Sequence, residues 1–310
     1  MYWGFFWLCG VIWGSSFILI HIGVKATDPL HVAFLRLAVG ALFMIAAVVL
    51  TRQKWPRLGR SWGAFALLGL TNNALPFFLI SWGEMSVESG ITSVLNATTA
   101  LFGLLIAHLA FREERMTPQK LIGVTLGFLG VVVLAARNWQ GGQIMQSSLL
   151  GQLAILGASF CYAISTAFTK KVMQGAHVPP TVMAALVMVF GALYTGLAIV
   201  LGGALGAVAL TTPVDMRPDA LLAILTLGFL NTFVAYLLYY QVVAGLGAAR
   251  TTMITYVVPP VALLLGVVFL GERMDAYIVI GAGMIFVGIG IVNLRAFNRL
   301  NAWLAKPKAA

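Results

Sequence analysis

The sequence predicts an all-α polytopic membrane protein with ten transmembrane helices, arranged as two inverted five-helix repeats around a central cavity. Three observations predict this fold: the composition, the spacing of the apolar runs and an internal duplication. Charged residues make up 9% of the 310 residues and hydrophobic residues 61%, whereas a soluble domain carries about 25% charged residues. The longest stretches between apolar runs, about 137–148 and 204–219, are too short to fold alone.

Ten apolar runs have about the ~20 residues that a helix needs to cross a bilayer. We predict spans at 3–25, 30–51, 61–82, 90–111, 118–136, 149–170, 179–203, 220–243, 248–270 and 275–296. The first run is expected to be a helix rather than a signal peptide, because it has no basic n-region and no small-x-small cleavage site.

The second half of the chain repeats the first. The segment Arg112–Met116 reappears as Gly271–Met274, and each copy closes one apolar run and precedes another. A gap-free shift of 158 positions superposes Glu114 on Glu272, Gly123 on Gly281, and Asn73 on Asn231. Self-similarity of this kind in a membrane chain is typical of a transporter with a substrate site between its repeats.

Five spans per repeat is an odd number, so the second repeat enters the membrane from the opposite side. We expect a first repeat at 1–140, an inverted second repeat at 141–300 and a basic cytoplasmic tail at 301–310. Cytoplasmic loops retain Lys and Arg, and this rule predicts that both termini are cytoplasmic, in a bacterial inner membrane. Fourteen cations then lie inside and four outside: Lys25, Arg137, Arg217 and Arg273.

The charge pattern and the cysteines exclude several classes of partner. The net charge of +10 follows from the membrane topology, and a nucleic-acid partner is not expected because no folded polar domain carries a basic face. Cys9 and Cys161 lie inside predicted spans and show no pairing or metal-ligand spacing. The expected partners are membrane lipid and a small-molecule substrate. Glycines in the fifth and tenth spans predict a scaffold or an oligomer seam, so we expect a monomer or a weak homodimer.

The ionisable residues argue against an enzyme. All nine acids fall in loops or at span ends, whereas an intramembrane hydrolase needs carboxylates or histidines at depth. The segment Gly14-Ser15-Ser16 lacks the spacing of a nucleophile elbow. No cofactor and no metal are expected.

Uncharged polar and aromatic residues at depth are the candidate substrate-binding residues: Trp13, Ser16, Asn73, Asn96, Thr99, Tyr162, Asn231, Tyr239 and Tyr256. Hydroxyls and amides can instead join helices to one another, and aromatic rings can simply pack in the core. Asn73 and Asn231 favour binding more than the others, because an unsatisfied amide in hydrocarbon costs several kcal/mol and the two residues match across the repeats.

Three further groups within the spans need separate interpretation. Pro76, Pro259 and Pro260 remove backbone hydrogen bonds and are predicted hinges. Arg36 can snorkel outward, pair with Glu84 or Glu88, or receive a substrate carboxylate; the structural roles are favoured. His21 is a possible proton site, because its reference pKa of about 6.5 allows titration near neutral pH.

Three segments together resemble the EamA-type ten-helix exporters of the drug/metabolite transporter superfamily. They are the opening Trp13–Phe17, the run from Pro29 to Arg36, and the closing run from Pro259 to Met274. The resemblance implies export of small metabolites, commonly amino acids, or of drugs, through a cavity lined by spans 1, 3, 4, 6, 8 and 9. One departure is that 99–102 lacks the proline often found in the fourth span, so hinge behaviour is expected in the second half.

The leading hypothesis is an inner-membrane exporter of amino acids or related metabolites, working by alternating access. Efflux of lipophilic cations and carriage of nucleotide sugars are alternatives within transport, and a receptor or assembly factor is the alternative outside it. We expect movement down the substrate gradient, because no acid lies at depth; proton coupling through His21 is the less favoured alternative.

Overall fold

The computed structural model of the chain describes residues 1–56, 59–111, 116–137, 143–173, 178–205 and 217–304. These residues form ten helical spans, and no strand occurs among them. Eight helices in this part of the chain are long and apolar enough to cross a membrane, and two shorter apolar helices, Ile254–Leu270 and Ala276–Val292, complete the ten. The predicted all-α polytopic fold is confirmed.

The first repeat contains five helices. They are α1 (Tyr2–Val24), α2 (Pro29–Leu50), α3 (Arg60–Gly83), α4 (Ser89–Asn96 and Thr99–Ala110) and α5 (Pro118–Ala136). The second repeat contains five more, namely α6 (Gln143–Met173), α7 (Pro180–Ala204), α8 (Pro218–Leu246), α9 (Ala248–Thr251 and Ile254–Leu270) and α10 (Ala276–Leu304).

Local sequence explains where several of these helices begin and end. Proline occupies the first helical position of α2, α5, α7 and α8, where its missing N–H costs no hydrogen bond and its fixed φ suits the helix. Gly247 and Gly271 follow α8 and α9 with φ angles of 81° and 69°. Positive φ is easily reached only by glycine, so these two residues stop their helices.

Both α3 and α8 contain a π turn that the sequence did not predict. The turn covers Gly69–Ala74 in α3 and Phe229–Val234 in α8. Each turn includes one asparagine of the predicted pair. A π turn inside an α-helix is rare and frequently marks a functional site.

The interruptions of α4 and α9 differ from the expectation based on proline. The helix α4 breaks between Asn96 and Thr99 although it has no proline, whereas Pro259 and Pro260 lie inside the continuous segment Ile254–Leu265. Pro76 is the second residue of the segment Leu75–Gly83 that follows the π turn of α3. Helix interruption therefore does not separate the two halves of the chain, and the hinge role of the three prolines stays a prediction.

The helices α5 and α10 pack directly against each other through glycines. A Cβ on Gly123 would lie 2.6 Å from the carbonyl oxygen of Gly288, and one on Gly130 would lie 2.6 Å from that of Gly281. Contacts this close exclude any side chain at these positions. The two helices therefore form a close pair within one chain, and their role as scaffold or oligomer seam stays a prediction.

Candidate substrate site

The π turn of α8 holds Asn231 against α1. Asn231 is fully buried, and its amide nitrogen donates to the carbonyl of Ile12 and to the hydroxyls of Ser15 at 3.0 Å and Ser16 at 3.1 Å. Its side-chain oxygen has no hydrogen-bond partner in the described part of the chain. The structure therefore brings together two of the predicted residues, Ser16 and Asn231, and leaves a buried acceptor unsatisfied between them.

The π turn of α3 presents its two asparagines to different neighbours. The Asn72 amide approaches the Tyr236 hydroxyl at 3.5 Å and the side-chain oxygen of Asn73 at 3.4 Å. Asn73 is buried against α7, where a Cβ on Gly191 would lie 2.9 Å from the Asn73 Cβ. Asn73 thus packs at a helix crossing, whereas Asn72 faces the second repeat across the centre.

Packing shows which residues of α3 and α8 are truly equivalent. A Cβ on Gly69 would lie 3.1 Å from the carbonyl oxygen of Val187, and one on Gly228 would lie 3.0 Å from that of Arg36. The next contacts of the same two crossings repeat this pattern. They are Gly191 against Asn73 in one crossing and Gly40 against Thr232 in the other.

The two crossings, α3 on α7 and α8 on α2, are therefore related by the internal repeat. Asn73 corresponds to Thr232 in packing, and Asn72 corresponds to Asn231, so the gap-free shift is one residue out at this point. A sequence shift cannot detect such an offset, because nothing in the composition marks it.

Four aromatic rings form a wall beside Asn231. The Trp13 ring lies 6.2 Å from Tyr236 and 5.5 Å from Tyr239 between centroids, and Tyr240 lies 5.9 Å from Tyr239. All four side chains are partly exposed. Sequence reasoning selected Trp13 and Tyr239 but not Tyr240, although the spacing of Tyr236 and Tyr240 places both on one face of α8.

Arg36 of α2 contacts α8 and α3 next to this wall. It is 8% exposed; its Nε donates to the Thr232 hydroxyl at 3.0 Å, and its Cζ lies 4.0 Å from the centroid of the Phe77 ring. The snorkelling interpretation is wrong, because the guanidinium is covered rather than exposed. The nearby ionisable groups that influence it are Tyr162, Tyr236 and Glu84.

Neither acid proposed as a partner of Arg36 is bound to it. Glu88 pairs instead with Arg137 at 3.0 Å. Glu84 is 1% exposed, and both of its carboxylate oxygens lack a hydrogen-bond partner in the part of the chain that the structure describes. Its position at the end of α3 agrees with the sequence, but its burial was not predicted.

The remaining predicted residues lie in three places. Tyr162 packs with Leu37 and Phe77 beside Arg36. Asn96 and Thr99 flank the interruption of α4, where Ser159 donates to the Asn96 side chain at 3.5 Å. Tyr256 packs on the apolar cluster of α4, α5 and α10, apart from Trp13 and Tyr239.

A separate polar network closes the end of the molecule at which α4 begins. The Glu272 carboxylate accepts from the Ser89 N–H at 2.6 Å, the Ser89 hydroxyl at 2.7 Å and the Gly90 N–H at 3.0 Å. Arg137 joins Glu88 to Asp275 at the same end. A carboxylate at a helix start satisfies free N–H groups and favours the helix dipole, so Glu272 ties the second repeat to the first.

His21 lies close to this network. Lys25 and Glu272 influence its imidazole electrostatically. Its Nδ1 is buried with no partner in the described residues. The predicted proton site is thus held at the α4 end rather than beside the aromatic wall.

The paired five-helix halves and the buried polar centre between them define a polytopic membrane transporter. The sequence profile of the EamA-like transporter family matches residues 2–136 and again residues 149–294. The chain belongs to this family, within the drug/metabolite transporter superfamily.

Several relatives match over nearly the whole chain. A probable amino-acid metabolite efflux pump of Salmonella typhimurium is 31% identical over 290 residues, 91% of each chain. An uncharacterized transporter of Archaeoglobus fulgidus is 28% identical and covers 90% of this chain and 94% of its own. An uncharacterized inner membrane transporter of Escherichia coli, YedA, is 26% identical over 92% of this chain and 88% of its own.

A solved structure shares the fold. A protein crystal structure superposes with a TM-score of 0.65 over 95% of this chain and 98% of that chain, at 18% identity.

Proposed function

We propose that this transporter exports small metabolites, and amino acids in particular, across the bacterial inner membrane by alternating access. The observation that carries the proposal is the polar centre between the repeats, where Arg36, Asn72 and Asn231 lie beside an aromatic wall within an otherwise apolar bundle. Polar groups at this depth are costly and are typical of a substrate pathway. Relatives named as probable amino-acid metabolite efflux pumps support the choice of cargo.

Alternating access needs two ends that open in turn around one central site. The boundaries of the repeats at 1–140 and 141–300 and the cytoplasmic placement of both termini, with the basic tail at 301–310, are part of this proposal. Residues 305–310 of the tail lie outside the described structure. With this orientation, the end closed by Glu272 faces the periplasm.

The proposed movement is down the substrate gradient. Among the described acidic residues, Glu84, which follows α3, is the one that acts electrostatically on Arg36. Proteoliposomes given a pH gradient decide the coupling: accumulation of substrate against its own gradient, abolished in His21→Ala, would establish proton coupling through that residue.

The cargo is tested by counterflow in proteoliposomes with a panel of labelled L-amino acids. Uptake of at least one member of the panel, absent from liposomes without protein, is the expected result. Efflux of lipophilic cations is the second candidate, because the Trp13, Tyr236, Tyr239 and Tyr240 rings offer faces for cation–π contact. Movement of tetraphenylphosphonium without movement of any amino acid would select that candidate.

A further inference from the structure

Arg36 is a buried cation with only part of its hydrogen-bonding capacity used. Its Nε donates to Thr232, and one face of the guanidinium lies against Phe77. The two terminal nitrogens have no hydrogen-bond acceptor in the described residues, and no carboxylate oxygen of those residues lies within 4.0 Å of the guanidinium. A buried charge without a partner is expensive, so its presence calls for a reason.

The internal repeat supplies a control for a packing role. Arg36 and Val187 occupy the same place in the two related crossings. The Arg36 carbonyl lies against Gly228, and the Val187 carbonyl lies about equally close to Gly69. Val187 is buried and uncharged. The crossing of α3 on α7 therefore forms with an aliphatic side chain where the crossing of α8 on α2 has a guanidinium, and packing alone does not require the charge.

Glu84 is the acid that influences Arg36 electrostatically, but it does not form an ion pair with the guanidinium. Glu84 influences Arg36 from the end of α3, but its oxygens have no hydrogen-bond partner in the described part of the chain. Burial and the neighbouring Glu272 carboxylate raise the pKa of the Glu84 carboxyl well above its usual value, against the opposing effect of Arg36. Glu84 therefore forms no direct ion pair with the guanidinium, and a ligand carboxylate can supply one.

We propose that the two terminal nitrogens of Arg36 bind the carboxylate of the transported amino acid. This inference rests on the proposed function, since it assumes an amino-acid cargo. Guanidinium and carboxylate match in a bidentate pair, and Tyr162 and Tyr236 lie near enough to Arg36 to influence it electrostatically. The aromatic wall beyond Tyr236, at Trp13 and Tyr239, then faces the ammonium or the side chain of the cargo.

The inference predicts discrimination between an acid and its amide, which differ only in the carboxylate. We would measure counterflow of L-phenylalanine, L-methionine and L-threonine and its inhibition by each amino acid and by its carboxamide. The wild-type protein should favour the acid by about tenfold or more in half-saturating concentration. In Arg36→Gln this ratio should fall to about one, mainly because the amino acid binds less tightly. Arg36→Lys should give an intermediate ratio, because Lys lacks the planar guanidinium fork.

Two results would overturn the inference while leaving amino-acid export intact. One is a wild-type ratio near one, and the other is an equal loss of acid and amide in Arg36→Gln, which indicates a structural role. Failure of every amino acid and every amide to move or inhibit in the wild type would instead overturn the proposed function itself, and the inference with it.

A second pair of variants tests the inference without removing the charge. Thr232→Val removes the hydroxyl that orients the guanidinium, whereas Thr195→Val removes a hydroxyl of similar burial that donates to Gly191 in its own helix. Thr232→Val should lower the acid-to-amide preference by about threefold, and Thr195→Val should keep the wild-type value. Equal preferences in the two variants would contradict the role of Thr232 as a positioning residue and count against the site.

Discussion

The starts of α4 and α9 occupy related places in the two repeats, yet they are held differently. The residues Ser89–Leu95 of α4 are all buried, and the Glu272 carboxylate caps the helix. At the start of α9, Thr252 and Thr255 are exposed, and the preceding Gly247 has a positive φ. The repeat shift relates Glu272 to Glu114, which lies outside the described residues. Among the described residues, the start of α4 is therefore the more deeply buried of the two helix starts.

The ion pairs around Arg137 strengthen the same end. Burial opposes ionisation of Asp275, but the Ile278 N–H and the Arg137 guanidinium outweigh it and hold the pKa of the carboxyl below its usual value. These side chains are partly exposed, so each pair contributes at most about 1 kcal/mol. The cap by Glu272, which uses backbone N–H groups, is therefore the stronger tie.

The first prediction decides which compartment the closed end faces, and its expected result is all or none. Cysteines introduced at Gln143 and Asp215 should react with an impermeant thiol reagent from the periplasm, and those at Gln53 and Ala176 only after permeabilisation. The first pair lies on the same side as Ser89 in the proposed topology. The reverse pattern would invert the assignment of both ends.

The second prediction breaks the closed end. Glu272→Gln replaces a charged acceptor by a neutral one, and hydrogen bonds to charged groups contribute about 1.5–3 kcal/mol. The measurement uses a protein in which Cys9 and Cys161 are replaced and a cysteine stands at Ser93, which is 1% exposed. A thiol reagent should modify that cysteine at least about tenfold faster when Glu272→Gln is also present. Asp219→Asn is the matched control, because Asp219 belongs to an exposed pair with Arg217. An unchanged rate at Ser93 would remove Glu272 as the closing tie.

The third prediction concerns pH, and its effect is the smallest. The pKa of Glu84 is raised by burial, so ionising this carboxyl disfavours the folded state. The stability that the neutral Glu84 carboxyl contributes is fully present below the pKa of this group in the unfolded chain. It is lost as the pH rises through the pKa of the group in the folded protein. Unfolding temperature in detergent should thus fall with rising pH in the wild type and depend less on pH in Glu84→Gln. Equal slopes for the two proteins would show that Glu84 is not held neutral.

The sequence predicted the helices well because each is a long apolar run with a clear length requirement. It did not predict the π turns at Gly69–Ala74 and Phe229–Val234, because one extra residue in a turn leaves no mark on hydropathy. It also missed the break in α4 after Asn96, since the expectation there relied on proline alone.

The candidate site was predicted only in part. Residue type and depth selected Trp13, Ser16 and Asn231, which the structure brings together. The alternatives for Arg36 could not be separated by sequence, because snorkelling and burial differ in the direction of one long side chain. The equivalence of Asn73 and Thr232 needed the helix packing.

The polar centre between the repeats is the proposed substrate-binding site. Counterflow of labelled amino acids by Asn231→Ala and Asn72→Ala, compared with Thr98→Ala, tests this proposal after each variant is shown to be folded in detergent. Both asparagine variants should lose more transport than Thr98→Ala, and Asn231→Ala should lose most, because Asn231 joins α8 to α1 and its side-chain oxygen has no partner among the described residues. Wild-type transport by both asparagine variants would contradict the claim and place the substrate elsewhere.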